Sequence, residues 1–68
     1  MITYESFKLE AIGFAKSEDI DLSKYDPSFR NRLHIHMYKY ISKFSDNTKE
    51  NLKICNSYEN RFWKDIID

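Results

Sequence analysis

Two histidines and one cysteine are the side chains of this sequence best suited to binding a metal ion. His34 and His36 lie two positions apart, and Cys55 is the single cysteine. On an α-helix, side chains two positions apart point about 160° away from each other, so these histidines could share an ion only on a β-strand. Zinc needs three or four ligands, and beyond the histidines the sequence offers only Cys55 and carboxylates to complete such a set. We therefore predict no metal and no cofactor. We expect His36, centred on the predicted core face of its helix, to be a hydrogen-bonded interior or boundary residue. His34 should lie at the edge of that face.

Groups that would indicate catalysis are scarce. Gly13 is the single glycine, which excludes a glycine-rich phosphate loop, and neither the serines nor Cys55 lie in a motif that marks a nucleophile. A domain of 68 residues leaves little interior for a ligand pocket. The sequence therefore predicts a protein that is not an enzyme.

A strip of basic side chains is the next candidate for function. Residues 27–44 carry four basic residues and no acid, although the net charge of the whole chain is zero. Arg32, Lys39 and Lys43 share one side at helical spacing, and a basic helix with aromatic neighbours is a recognised nucleic-acid surface. The favoured alternative is a solvated flank, or pairing with acids of residues 1–26. An acidic protein partner is a further possibility.

Composition and charge indicate where such a protein works. One cysteine permits no intramolecular disulfide, which favours a reducing compartment. The first residues do not resemble a secretory signal, and no run approaches the roughly 20 apolar residues of a membrane span. We expect a cytoplasmic protein without membrane contact. Abundant Lys, Asn, Ile, Tyr and Phe are typical of AT-rich genes, such as those of low-GC bacteria, their phages and plasmids, and in the phage case the protein would lie in the host cytosol.

Apolar residues recur at helical spacing in three segments. The segments cover residues 3 to about 16, 27 to about 44, and 48–67. Asp26 followed by Pro27 is typical of a helix N-terminus. The carboxylate can accept hydrogen bonds from unpaired backbone amides, and proline at the first position of the helix loses no hydrogen bond. The last segment forms one long helix, or two that break at Asn56 and Ser57. The sequence predicts an all-α fold, a small three- or four-helix bundle forming a single domain over residues 1–68.

A β-strand around residues 32–41 is the alternative, and it would make the fold α+β. Leu33, Ile35 and Met37 alternate with other side chains over this run, which is typical of a strand. Lys39 breaks the alternation, and only residues 2–7 could serve as a pairing strand. A helix is therefore favoured.

The apolar positions also predict the core. Leu33, Phe44, Leu52 and Phe62 each fall on the apolar face of their predicted helix, so we expect all four to be buried.

The second helix has a further apolar line led by Ile35 and Tyr38, opposite its core face. Because that helix already has a full core face, we predict that Ile35 and Tyr38 form a partner surface or the seam of a homodimer. The alternative is that Ile20, Leu22 and Tyr25 of the acidic connector, residues 17–26, fold across this side.

These features favour a small macromolecule-binding protein that acts by protein–protein interaction. An inhibitor or accessory factor of a host machine, encoded by a phage or other mobile element, would have this size and composition. Another protein is the favoured partner and a homodimer is possible. The alternative function is nucleic-acid binding through the basic central helix, as a dimer. The candidate partner-binding residues are Ile35, Tyr38, Arg32, Lys39 and Lys43.

Overall fold

The computed structural model describes residues 2–67, which form three α-helices and no strand. The helices are α1, Tyr4–Ser17; α2, Pro27–Ser42; and α3, Thr48–Ile67. The predicted all-α fold is confirmed. The strand alternative for residues 32–41 is wrong, because this run lies inside α2. There Leu33, Met37 and Ile41 recur every fourth position and are all buried, which is helical periodicity.

Each helix begins at a side-chain cap. The capping side-chain oxygens of Thr3, Asp26 and Asn47 accept hydrogen bonds from the backbone amide three positions later, at 3.1, 3.0 and 3.1 Å. Such caps pair one of the free amides of the first turn and contribute about 1 kcal/mol each. Pro27 occupies the first turn of α2, as the sequence predicts.

Helix α3 is continuous over 20 residues, so the predicted alternative of two short helices is wrong. Asn56 and Ser57 are exposed, while Cys55 and Tyr58 on either side of them pack against the core. Packing outweighs the poor helix propensity of the two polar residues. None of the described helices combines the length and the apolar character that crossing a membrane requires.

Aromatic rings supply much of the core. Phe7 meets Tyr58 and Phe62 edge to face, with ring centroids 5.5 and 6.4 Å apart, and Phe29 meets Trp63 at 6.5 Å. Leu33 and Phe62 are fully buried, as predicted. The buried apolar residues are Ile2, Tyr4, Phe7, Ala11, Ala15, Phe29, Leu33, Met37, Ile41, Cys55 and Phe62.

The prediction that Phe44 belongs to the core is wrong, because its side chain is 58% exposed. Helix α2 ends at Ser42, so Phe44 follows the helix and does not extend its apolar face. The ring packs edge to face on Tyr40, with centroids 5.3 Å apart, outside the bundle.

The prediction for Leu52 is also wrong, since this residue is 41% exposed. The buried line of α3 runs through Asn51, Cys55 and Phe62, so Leu52 is turned about 100° away from it. Asn51 occupies the buried position and donates from Nδ2 to the carbonyl oxygen of Ser45 at 2.8 Å.

The connector between α1 and α2 folds back onto the bundle. Ile20 and Leu22 pack against the core. Asp19 adopts a left-handed backbone conformation with φ 57°, which turns the chain sharply after α1. The Ile20 amide then donates to the carbonyl oxygen of Ala15 at 2.9 Å and closes the turn.

Replacing Gly13 by alanine is expected to stabilise the protein. Gly13 is exposed inside α1, and a Cβ there would meet no atom within 4 Å. Alanine in a helix interior is favoured over glycine by about 0.5 to 1 kcal/mol. Thermal melting followed by circular dichroism should show a rise of a few degrees in Tm. An unchanged or lower Tm would contradict the helical placement of this residue.

Candidate functional site

A shallow apolar groove lies between α2 and the first turns of α3. It is lined by His34, Ile35, Tyr38, Lys39 and Leu52 and has a volume of about 310 Å³. Ile35 is 50% exposed, whereas Tyr38 is half-buried and packs partly against the core. Three predicted partner-binding residues, Ile35, Tyr38 and Lys39, thus lie together on one surface. We refer to these five residues as the α2–α3 groove.

The periodicity of α2 explains why Ile35 faces solvent. Leu33 and Met37 are fully buried, and Ile35 lies two positions from each, so it points to the opposite side of the helix. Leu52 joins it from α3 for the same reason that it is absent from the core. The two aliphatic side chains that line the groove therefore come from two different helices.

The connector does not cover this surface, so the alternative that it folds across Ile35 is wrong. Leu22 and Tyr25 line a separate pocket together with Arg30 and Trp63. The guanidinium carbon of Arg30 lies 4.1 Å from the centroid of the Trp63 ring and 5.0 Å from that of Tyr25. These contacts draw the connector toward the Trp63 end of the bundle.

The three predicted basic residues are all exposed, Arg32 and Lys39 on α2 and Lys43 directly after its end, but they are not equivalent. Arg32 Nε donates to Glu18 Oε1 at 3.0 Å, and its Nη1 donates to Ser28 Oγ at 2.7 Å. Pairing with an acid of residues 1–26, the alternative derived from the sequence, thus holds for Arg32. Lys39 and Lys43 have no carboxylate within 4.0 Å in the part of the chain that the structure describes.

Lys39 stands at the edge of the α2–α3 groove. Lys39 also lines a second depression, together with Lys43, Glu10 and His36. Lys39 therefore borders the groove that Ile35 lines.

His36 is a boundary residue, as the sequence predicts. Its Nε2 lies 2.8 Å from Glu10 Oε2 on α1, and its ring stacks on Phe14 with centroids 4.1 Å apart. His34 instead faces α3, with Nδ1 2.6 Å from Glu59 Oε2. The two histidines point to different helices, which confirms that they cannot share an ion.

His34 nevertheless joins a cluster that sequence reasoning missed. Cys55 Sγ lies 3.8 Å from His34 Nδ1 and donates to Glu59 Oε2 at 3.3 Å. Cys55 and Glu59 are four positions apart on α3, a spacing that places both on one side of a helix. That spacing is visible in the sequence, but the approach of His34 depends on how α2 packs on α3.

Cys55 is not arranged as a nucleophile. Burial, together with the charge of Glu59 and the hydrogen bond to it, raises the pKa of the Cys55 thiol to about 12. A nucleophilic cysteine needs a lowered pKa and access to substrate, whereas this side chain is fully buried. The thiol acts here as a hydrogen-bond donor.

Comparisons of the chain with protein-family models, curated proteins and solved structures give no match. The function is therefore inferred from the geometry of these residues.

Proposed function

We propose that this chain is a protein-binding module whose α2–α3 groove docks a partner protein carrying an apolar contact beside acidic side chains. The observation that carries the proposal is the exposure of Ile35, on a helix that has no acidic residue, together with the exposure of Leu52 on α3. Apolar side chains that stand together on a surface and have a polar rim are typical of interaction sites.

The charges around the groove favour an acidic partner. Lys39 lies at the edge of the groove and Lys43 one turn further along, and neither has a carboxylate within 4.0 Å among the described residues. Cations at the rim of an interface accelerate association with an acidic surface and disfavour a basic one. Ile35 and Leu52 would supply the apolar contact, and the lysines would orient it.

A homodimer through the same face fits less well. In a twofold dimer the same patch lies on both sides of the interface, so two surfaces that each carry Lys39 and Lys43 would face one another. Like charges across an interface are unfavourable, and α2 offers no acid to compensate them. A different, acidic protein is the better partner.

Nucleic-acid binding through the basic strip, the alternative function, also fits less well. Phosphate binding requires several accessible cations, and Glu18 already pairs with Arg32. The apolar centre formed by Ile35 and Leu52 contributes nothing to phosphate contacts. For the biological setting we propose an inhibitor or accessory factor of a larger cellular machine, encoded by a phage or other mobile element. The small size of the chain and an amino-acid composition typical of AT-rich genes support this proposal.

Replacing Ile35 by glutamate is expected to abolish capture of a partner protein while leaving the helical circular dichroism and melting nearly unchanged. A charge at the centre of the groove costs desolvation and would also repel an acidic partner. Immobilised protein should be incubated with nuclease-treated host lysate, and the bound proteins identified by mass spectrometry at low and high salt. Leu9→Glu is the matched control, because Leu9 is 71% exposed on α1 and lines no part of the groove.

The proposal requires a protein that survives nuclease, binds the wild type and Leu9→Glu equally, and is lost with Ile35→Glu. Equal capture by Ile35→Glu would refute the site. Submicromolar, salt-sensitive gel shifts of DNA or RNA that disappear when Arg32, Lys39 and Lys43 are reversed would favour the nucleic-acid alternative. Sedimentation of the purified wild type as a dimer, and of Ile35→Glu as a monomer, would instead favour the homodimer.

A further inference from the structure

Three side chains with different metal-binding donor atoms converge between α2 and α3. The imidazole of His34, the thiol of Cys55 and the carboxylate of Glu59 place one donor atom each within 4.8 Å of the others. Two of them come from adjacent turns of α3 and the third from the facing helix, so rigid elements hold all three. The side chain of Glu59 is 12% exposed and that of His34 is 39% exposed.

We propose that His34, Cys55 and Glu59 bind a divalent transition-metal ion, with Zn²⁺ as the ion that fits best. Zinc accepts nitrogen, sulfur and carboxylate ligands, whereas magnesium and calcium prefer oxygen ligands alone. This inference does not depend on the proposed function, although His34 also borders the α2–α3 groove.

The distances suit a tetrahedral site. With metal–ligand bonds of about 2.0 to 2.3 Å, the donor atoms of such a site lie about 3.3 to 3.6 Å apart. The Cys55 sulfur is 3.3 Å from Glu59 Oε2 and 3.8 Å from His34 Nδ1, which brackets this range. His34 Nδ1 and Glu59 Oε2 are 2.6 Å apart, so the carboxylate must move away by less than 1 Å, which rotation of a side chain achieves.

Charge also favours an ion at this position. On binding, the Cys55 thiol releases its proton to solvent, and the sulfur ligates as a thiolate. One thiolate, one carboxylate and a neutral imidazole then compensate the two positive charges of the metal. A neutral assembly is the form that a largely buried position accommodates at least cost. The exposed part of His34 provides the entry path, and a water molecule would complete a fourth position.

The cluster contrasts with a similar pair on the other side of α2. His36 and Glu10 contact each other at 2.8 Å, but Phe14 stacks on that imidazole, and no cysteine takes part. The His36 pair has the same imidazole and carboxylate without the sulfur. It therefore supplies a matched control within the chain.

The test uses Co²⁺ as a spectroscopic probe, followed by displacement with Zn²⁺. The chelator-treated, reduced full chain should bind one Co²⁺ per molecule and show a sulfur-to-cobalt charge-transfer band with the intense visible bands of tetrahedral cobalt. Equimolar Zn²⁺ should abolish these bands. Zn²⁺ should also raise the Tm, because a ligand that binds the folded state stabilises it.

His34→Gln and Glu59→Gln should each weaken Co²⁺ binding by at least about tenfold, since even loss of a residue that only supports a ligand costs about 10- to 100-fold. Cys55→Ala should remove the charge-transfer band, and His36→Gln should behave as wild type. His34 lies at the edge of the bundle, so His34→Gln keeps the test valid if a change at buried Cys55 impairs folding. Absence of the charge-transfer band from the wild type would refute the site. A band that persists unchanged in both His34→Gln and Glu59→Gln would show adventitious binding to the thiol and would refute it equally.

Discussion

Replacing Phe62 by alanine is expected to lower the free energy of unfolding by about 3 to 5 kcal/mol. Phe62 is fully buried, and its ring lies between those of Phe7 and Trp63, with centroids 6.4 and 5.2 Å away. Truncation would remove these contacts and leave a cavity that rigid helices cannot close. A chain of 68 residues buries a limited core, so this loss is comparable to its whole expected stability, about 5 kcal/mol.

Urea unfolding followed by far-ultraviolet circular dichroism would measure the effect. Phe44→Ala is the matched control, because it removes the same atoms from a ring that is 58% exposed, and we expect it to cost less than about 1 kcal/mol. If Phe62→Ala does not fold, the milder Phe62→Leu should show an intermediate loss. Equal losses of unfolding free energy for Phe44→Ala and Phe62→Ala would contradict the exposed position of Phe44 after the end of α2.

Replacing Leu33 by alanine is expected to cost about 2 to 5 kcal/mol. Leu33 is fully buried near the middle of α2, the helix that packs most extensively against the other two. The same substitution at Leu52, which is 41% exposed, should cost less than about 1 kcal/mol.

The order of the two leucine variants should be reversed in partner capture: the more stable Leu52→Ala should be the weaker binder. Under conditions in which both variants are folded, Leu52→Ala should weaken capture because it shortens one wall of the α2–α3 groove. Leu33→Ala should retain capture in proportion to its folded fraction. If Leu52→Ala destabilises the protein as much as Leu33→Ala, then Leu52 is a core residue and the groove lacks one of its two aliphatic walls.

The sequence predicts where the three helices lie because the patterns that mark them are local, although the continuity of α3 through Asn56 and Ser57 depends on packing. Apolar residues at helical spacing predict each segment, and the caps at Asp26 and Asn47 act on amides three positions away. Leu33 and Phe62 could be placed in the core on the same basis. The opposite direction of Ile35 also follows from periodicity, since it lies two positions from buried residues on either side.

Only the tertiary structure decides which apolar residues of a helix face become buried. A helical pattern spans a broad arc, and one position changes the direction of a side chain by about 100°. The burial of Asn51 and the exposure of Leu52 depend on how α3 is rotated against α2, which no local pattern specifies. The exposure of Phe44 depends on where α2 ends, and the tertiary contacts of the following turn influence that point.

The cluster of His34, Cys55 and Glu59 shows the same limit. The sequence contains the spacing of Cys55 and Glu59 within one helix, but His34 lies 21 positions before Cys55. The three donors meet because α2 and α3 pack side by side in one particular rotation and register. Local chemistry thus determines the helices and their polar ends, whereas long-range packing brings together the groove and the candidate metal ligands.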